Sequence, residues 1–527
     1  MIRAQMVSSL ASLAFALGVL SAAGPSLAQP AASPAPSTGA PAAAPSLAQP
    51  AASPAPSGGA ATARSDEDAG TSSTAAATAS TSTSGALTLA EVVRVAQERF
   101  PLATAAEADA QGAEGELLAA EGGFDPLFRT TGAVAATGAY PTQRIDTVVE
   151  QPTPLWGASA FAGYRLGLGT FAVYDGKAET NEHGELRAGL KVPVLRDGPI
   201  DKRRAAIQRA EIAVEIAKLG VDQQKIEIAR LSSMRYWDWV GAGASLDIVE
   251  AWLALAEKRD ADLATRVERG EIPEIEHLEN QRSLLARRAQ VVTYTRRLQQ
   301  TSIELSLFYR NADGSPKVPG RGELPKSIPE PAAAPSTSLA AAEASALARR
   351  PEPKRAEAAR ASAAVALDLA RNQQLPAIDV YVAGSADLGP GDSKRGIPVL
   401  EAGIVIDIPI LGRPQRGKVR AAEAAVKRAD KQAELSRDRV GADVKDAQSA
   451  FDAARDRAEI AGREVALAEK LAGLELRRFN LGDSNMLTVN LREQAAAEAH
   501  LKRIAALIDH HKAVAAQRAA QGLSTPR

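Results

Sequence analysis

The sequence Phe479-Asn480-Leu481-Gly482-Asp483-Ser484 separates two long helical patterns that together run from about Pro414 to Gln521. A helix of this kind rises about 1.5 Å per residue, so the first pattern alone corresponds to roughly 100 Å. Globular helices average about 11–12 residues, which is far shorter. Small apolar residues recur every seven positions along it, at Val419, Val426, Ala433, Val440, Ala447, Ala454, Ala461 and Ala468. This period is typical of helices packed along a close seam, so the sequence predicts an unusually long helical hairpin.

The same order of sequence features occurs twice. A helical pattern opens, a proline interrupts it, and a second proline follows its end. The three landmarks are separated by 250 residues in each case, namely Leu89 and Leu339, Pro101 and Pro351, and Pro126 and Pro376. Self-similarity at a fixed spacing indicates a tandem repeat of one structural unit.

Each repeat contains a strand-like region between its first helix and its long helix. Residues 126–193 are rich in Gly, Thr, Val and aromatic residues, and residues 376–409 alternate as Ile404, Ile406 and Ile408 against Val405 and Asp407. Both regions read as one β-hairpin with an apolar face. The first is longer, and we expect the extra residues to form one long loop around residues 143–155.

The two long helical hairpins end in similar turns. Arg269-Gly270-Glu271-Ile272-Pro273 closes the first, as Leu481-Gly482-Asp483-Ser484 closes the second. Glycine after a long helix permits the left-handed backbone that reverses the chain, so the simplest role of Gly270 and Gly482 is a helix cap.

The amino terminus predicts export. Residues 1–28 contain Arg3, an apolar run and Ser26-Leu27-Ala28, the pattern of a cleaved signal peptide. The Ala/Pro/Ser/Thr-rich residues that follow lack the apolar side chains needed for a core. The predicted organisation is a signal peptide (1–28), a disordered tether (29–86), a first repeat (87–311; β-hairpin 126–193, tip near 270), a Pro-rich connector (312–337), a second repeat (338–521; β-hairpin 376–409, tip near 482) and a tail (522–527).

Composition argues against several classes of function. The net charge of −1 gives no reason to expect nucleic acid binding, and the absence of cysteine removes disulfides and lipid-bearing cysteines. His510 and His511 are adjacent on a helix and point in different directions, so we predict no metal site there. We find no phosphate loop and no catalytic signature, so we predict neither an enzyme nor a bound cofactor.

Two β-hairpins cannot close a barrel alone, so several chains must pool their strands. The run Arg478-Phe479-Asn480-Leu481-Gly482 at a tip and the duplicated helix, hairpin, long-helix order resemble the TolC-like outer-membrane efflux family over about Leu87 to Gln521. The resemblance implies a mainly α-helical homotrimer with a membrane β-region. Four strands per chain would form a 12-stranded barrel, continued by a 12-helix periplasmic α-barrel.

The implied function is a passive exit duct for efflux or type I secretion in the bacterial outer membrane. Its partners would be outer-membrane lipid, a periplasmic adaptor protein and an inner-membrane pump. Two alternatives stay open on the sequence alone: a periplasmic adaptor, which also has a helical hairpin, and a secreted coiled-coil structural protein. Drug, metal and protein substrates are equally compatible with the sequence.

The resemblance also points to two sets of residues. Gly270, Glu271, Gly482 and Asp483 are predicted to form the adaptor-docking tips. Family members carry acidic residues six and nine positions after the tip glycine, around a periplasmic aperture. Those positions hold Glu276 and Glu279 in the first repeat, but Thr488 and Leu491 in the second. The alternative for the two glutamates is a solvated pairing with Arg282 and its neighbours.

Overall fold

The computed structural model describes residues 85–331 and 338–525. The predicted signal peptide, nearly all of the tether, part of the connector and the end of the tail lie outside these residues. Within the described residues the chain forms eight α-helices and one six-stranded antiparallel sheet.

Each repeat begins with two helices in succession. They are α1 (Leu89–Arg99) and α2 (Pro101–Glu121) in the first repeat, and α5 (Leu339–Arg349) and α6 (Pro351–Asn372) in the second. The hydroxyls of Thr88 and Ser338 accept a hydrogen bond from a backbone N–H of the first turn. Proline then stands at the first position of α2 and α6, where its missing N–H is not needed. These helices lie where the two proline landmarks predict them.

The six strands are β1 (Leu127–Ala135), β2 (Thr142–Pro152), β3 (Ser159–Gly169), β4 (Glu185–Pro193), β5 (Ala377–Asp387) and β6 (Val399–Asp407). They pair in chain order, and every pair is antiparallel. The first repeat therefore supplies four neighbouring strands and the second supplies two.

The prediction of a single hairpin over residues 126–193 was wrong. Residues 143–155 were expected to form a loop, but β2 occupies most of them and pairs with both β1 and β3. β2 alternates charged residues such as Arg144 and Asp146 with Ile145 and Thr147, which is the period of a strand. Because few of its residues are apolar, this strand resembles a polar loop in the sequence. The count of four strands per chain is corrected to six among the described residues.

Two long helical hairpins follow the strand regions. They consist of α3 (Lys202–Glu268) with α4 (Glu274–Ser306), and α7 (Arg413–Asn480) with α8 (Met486–Ala520). The first arms contain 67 and 68 residues, and the returning arms only 33 and 35. The rest of each long arm packs against the preceding helix, α2 on α3 and α6 on α7.

The largest apolar core lies where α1, α3, α4 and α8 meet. Its members include Tyr236 and Trp239 of α3, Leu305 of α4 and Ile508 of α8. One described helix, α3, contains an 18-residue window apolar enough by composition to cross a membrane, and 44% of that window is buried. Because α3 places Trp239 in this core with no exposed surface, helix packing accounts for its apolar residues.

Candidate functional site

The two hairpin tips have the same backbone geometry. Gly270 (φ +72°) and Gly482 (φ +83°) are both left-handed. The N–H of each glycine donates to a carbonyl three residues earlier, at Val267 (2.9 Å) and Phe479 (3.0 Å). The next N–H, that of Glu271 or Asp483, donates to the carbonyl five residues earlier. This is a Schellman cap in both repeats, which accounts for the two glycines.

The predicted docking residues lie on open surface at these tips. Glu271 and Asp483 are exposed, and a Cβ added at either glycine would meet no atom within 4 Å. The Glu271 carboxylate lies 3.5 Å from Nε of Arg266, and the Asp483 carbonyl accepts a hydrogen bond from Arg478 (3.1 Å). The acidic groups are therefore available to a partner, each beside an arginine.

A small apolar cluster joins the two tips. It contains Leu263 of α3, Phe479 of α7, and Met486 and Val489 of α8, with Ile272 of the first turn packed against it. Met486 and Val489 are fully buried. The two helical hairpins consequently end side by side rather than as separate arms.

The aperture candidates of the first repeat have different partners. Glu276 is half-buried, and its carboxylate accepts a hydrogen bond from the Met486 N–H (2.6 Å), so it caps α8. Glu279 pairs with Arg282 (2.6 Å), and hydrogen bonds from that guanidinium hold the pKa of Glu279 below its usual value. The pairing of Glu279 with Arg282 is the alternative to an aperture role that the sequence suggests for this glutamate.

The aperture candidates of the second repeat are less polar. Thr488 lies in the first turn of α8, where its N–H and hydroxyl donate to the Asn485 side chain. Leu491 is 56% exposed. The four candidates therefore lie within the first two turns of α4 and α8, and among them Glu276 alone links one tip to the other.

The sheet has one apolar and one charged face. Paired residues of neighbouring strands point to the same face, so the register divides the side chains into two sets. The apolar set includes Phe128, Val134, Ile145, Val149, Leu166, Leu186, Leu190, Val382, Leu400, Ile404 and Ile406. The charged set includes Arg129, Arg144, Asp146, Arg165, Glu185, Arg187, Lys191, Asp379, Glu401 and Asp407. Most of the large apolar side chains are exposed, as expected of a surface in contact with lipid.

Comparisons with known proteins agree with this geometry. Residues 344–523 match the family described as outer membrane efflux protein. This match covers nearly all of the second repeat and none of the first. The efflux domain, as we call residues 344–523, includes most of α5 and all of α6, β5, β6, α7 and α8. No curated protein sequence matches the chain.

Several solved structures share the fold over about four fifths of the chain. The outer membrane protein VceC of Vibrio cholerae is 17% identical, with a TM-score of 0.59 over 82% of this chain and 96% of VceC. The channel CusC is 15% identical, with a TM-score of 0.62 over 82% and 92%. The open-state outer membrane channel MtrE of Neisseria gonorrhoeae is 14% identical, with a TM-score of 0.59 over 83% and 89%. The predicted resemblance to efflux channels is confirmed.

A buried charge cluster near the tips was not predicted from the sequence. Arg287 of α4 has no exposed side-chain surface, and its guanidinium contacts the Glu493 carboxylate of the efflux domain (2.9 Å) and the Trp252 carbonyl (2.7 Å). Arg259 of α3 also pairs with Glu493. Burial lowers the pKa of Arg287, and the hydrogen bond that Arg287 donates to the Glu493 carboxylate opposes that shift. Since the partners are 206 residues apart in the chain, no local pattern reveals them.

The histidine pair of the efflux domain lies inside the helical region. His510 is buried against Phe451, and His511 stacks on Trp237 with ring centroids 4.0 Å apart. Burial lowers the pKa of both rings. They border a cavity of about 580 Å³ between α3, α5, α7 and α8. Among the described residues no three His, Asp or Glu side chains are grouped as metal ligands.

Proposed function

We propose that this protein is the outer-membrane exit duct of an efflux or type I secretion assembly. The observation that carries the proposal is the combination, in one chain, of an amphipathic antiparallel sheet and two helical hairpins whose long arms extend roughly 100 Å. The sheet has the alternating faces of a membrane barrel, and the helices have a length suited to the periplasm.

The duct is proposed to be a homotrimer. An open sheet in lipid leaves the backbone groups of its edge strands unpaired, which costs several kcal/mol for each group. Three copies, each contributing the four arms of its two helical hairpins, would enclose a twelve-helix tunnel below the membrane. The family match and the channel-like fold support this assembly.

The tips are proposed to dock the periplasmic adaptor. Gly270, Glu271, Gly482 and Asp483 lie at the ends of the two hairpins, with open space around both glycines. Their surface offers exposed acidic groups and the exposed side chain of Leu481. Since the turns are already capped within the chain, an adaptor can bind them without refolding the helices.

The aperture is proposed to lie just above the tips, with Glu276 and Glu279 supplying its acidic ring. Threefold symmetry repeats every inward-facing residue three times, so each glutamate position contributes three carboxylates. In the second repeat Thr488 and Leu491 occupy the same positions, which makes that half of the ring uncharged.

The duct carries what the pump delivers and supplies no energy itself. The pump and adaptor that copurify with it would therefore define the substrate class as drug, metal or protein.

Single cysteines test the topology directly, because the natural chain has none. Thr137→Cys lies between β1 and β2, and Ser393→Cys lies between β5 and β6. Both should react with an impermeant maleimide on intact cells, whereas Asp483→Cys at a tip should react only after the outer membrane is opened. Reaction at all three positions only after opening would place the whole chain in the periplasm and favour an adaptor.

A further inference from the structure

We propose that the strand pair β2–β3 forms part of the membrane barrel in every subunit, so that three chains close a barrel of eighteen strands. In that barrel β6 of one copy pairs with β1 of the next copy. The inference rests on the proposed trimeric duct and adds its strand number, which follows from six strands per chain.

The outer face of β2–β3 continues the apolar face of its neighbours. Val149 of β2 pairs in register with Phe128 of β1 and with Ala162 of β3. Ile145 pairs with Gly132 and Leu166 in the same way. Antiparallel pairing puts such partners on one face in any hairpin, but here Phe128, Ile145 and Val149 are apolar and exposed, whereas a hairpin facing water on this side would carry polar residues. A row of apolar side chains at matching heights is what lipid requires of adjacent barrel strands.

The inner face of β2–β3 is tied to β4 by ion pairs. Arg187 of β4 reaches past Gly163 of β3 to the Asp146 carboxylate of β2 (2.5 Å). Arg165 of β3 also pairs with Glu185 of β4. Charges are expensive in hydrocarbon but are accommodated in a wet lumen. The added strands thus share both faces of the sheet with the strands beside them.

The added strands are long enough to cross the membrane. β2 and β3 have 11 residues each and pair along their full length, from Thr142 with Gly169 to Pro152 with Ser159. A tilted membrane strand needs about 9–11 residues.

The two edge strands fit a second copy of this chain. β1 and β6 each contain nine residues, and nearly all of these are exposed. Because six is an even number of antiparallel strands, β6 and the β1 of a rotated copy run in opposite directions and can continue the same pattern. Arg129 lies near the helical end of β1, and Asp407 ends β6 at the same side on the same face. The ion pairs found among residues 85–331 and 338–525 include neither Arg129 nor Asp407, and the opposite charges of these two residues are complementary.

The functional consequence is a wider exit. Barrel diameter grows roughly in proportion to strand number, so eighteen strands give about one and a half times the diameter of twelve. The charged residues of β2 and β3 then line the lumen and add to the ion pairs between β4 and β5, such as Lys191 with Asp379 (2.8 Å).

Cysteine scanning of β2 tests the inference. A water-soluble maleimide should fail to label the variants on the apolar face, Ile145→Cys, Thr147→Cys and Val149→Cys. A fluorophore attached at these cysteines should be quenched by lipid-borne quenchers. Arg144→Cys, Val148→Cys and Glu150→Cys should label with the water-soluble reagent. Matched controls in β5 are Val380→Cys and Val382→Cys for lipid, and Tyr381→Cys and Ala383→Cys for the lumen. Water-soluble labelling of both β2 sets, with alternation kept in β5, would overturn the inference.

A second measurement separates the strand number from the trimer. Chains carrying both Arg129→Cys and Asp407→Cys should form covalent dimers and trimers with a short thiol crosslinker. Each single variant has one cysteine per chain, so it should form no covalent product larger than a dimer. Loss of these products would overturn the proposed subunit junction and the trimeric duct. Crosslinked trimers together with uniform labelling of β2 would leave the duct standing and reject the eighteen-stranded barrel.

Discussion

The two repeats agree in their helices and differ in their strands. Helices begin at Leu89 and Leu339 and again at Pro101 and Pro351, and the long arms contain 67 and 68 residues. Yet the first repeat carries four strands between these helices and the second carries two. The helices must match their neighbours in length to stay packed, whereas the sheet can accept another hairpin without disturbing them. The two repeats therefore have helices of equal length, because the helices pack along one another, but they have different numbers of strands.

The two returning helices differ in chemistry although their turns are the same. Seventeen residues after the tip glycine, α4 has Arg287 and α8 has Ala499, and both are buried. The first requires a carboxylate from the efflux domain, and the second packs as a small side chain. The two returning helices thus have the same backbone geometry at the tips but different buried charges. Substitutions in the two repeats are therefore expected to have different effects.

The largest effect is expected from Glu493→Gln. This change leaves Arg287 and Arg259 without their shared carboxylate, and breaking a buried ion pair costs about 3–5 kcal/mol. We expect a clearly lower midpoint in chemical unfolding followed by helical circular dichroism. Glu464→Gln is the control, since it removes an exposed pair with Lys502 (3.0 Å). Equal midpoints for both variants would show that the buried cluster does not hold the repeats together.

Gly163→Ala is expected to come next. A Cβ at Gly163 would lie 2.7 Å from the Thr147 carbonyl oxygen, so β2 and β3 must separate. Overpacking of this kind costs about 1–3 kcal/mol. The fraction of protein that migrates as the proposed trimer in unheated samples should fall. Gly132→Ala in β1 is the matched control, because its Cβ would approach no atom closer than 3.8 Å. The same loss in both variants would contradict the close approach of β2 and β3.

Gly270→Ala and Gly482→Ala should have smaller and equal effects. Both place a side chain in a left-handed conformation, at about 1–2 kcal/mol, without any steric clash. Asparagine should recover part of this loss in each case. Thermal unfolding of the two alanine variants and the two asparagine variants checks this. Unequal effects would show that one tip has a role beyond capping. Adaptor crosslinking of Glu271→Arg and Asp483→Arg would then test docking separately.

The smallest effect on stability, but a measurable one on conduction, is expected from Glu276→Ala and Glu279→Ala. If both line the aperture, single-channel recordings should show weaker cation selectivity and less block by multivalent cations from the periplasmic side. Unchanged recordings in the double variant would assign the aperture elsewhere.

Acidic pH gives a further test of Glu279. Because Arg282 lowers its pKa, Glu279 keeps its charge as the pH falls through the usual range of a glutamate and loses it only below that range. Its contribution to selectivity should persist over the same interval. Arg282→Ala should move the loss of selectivity to higher pH, and an unmoved titration would count against Glu279 as a lining group.

The sequence predicts the helical part well for physical reasons. Seven-residue periods, prolines at helix starts and tip glycines are local signals, and each acts through the backbone or an immediate neighbour. The extra hairpin was not predicted because Arg144, Asp146 and Glu150 make β2 resemble a polar loop. The lumen of the proposed barrel would accept such a charged face. The contact of Glu276 with Met486 and the pairing of Arg287 with Glu493 depend on how the two repeats come together, which no local pattern contains.

Antiparallel pairing in chain order has a consequence for how such a channel can change. The helix before each strand region and the helix after it must lie at the same end of the sheet, so every region needs an even number of strands. A single added strand would bring the next long helix out on the wrong side of the membrane. In the proposed threefold assembly the barrel would therefore grow only by six strands at a time, and intermediate widths would be inaccessible to gradual insertion.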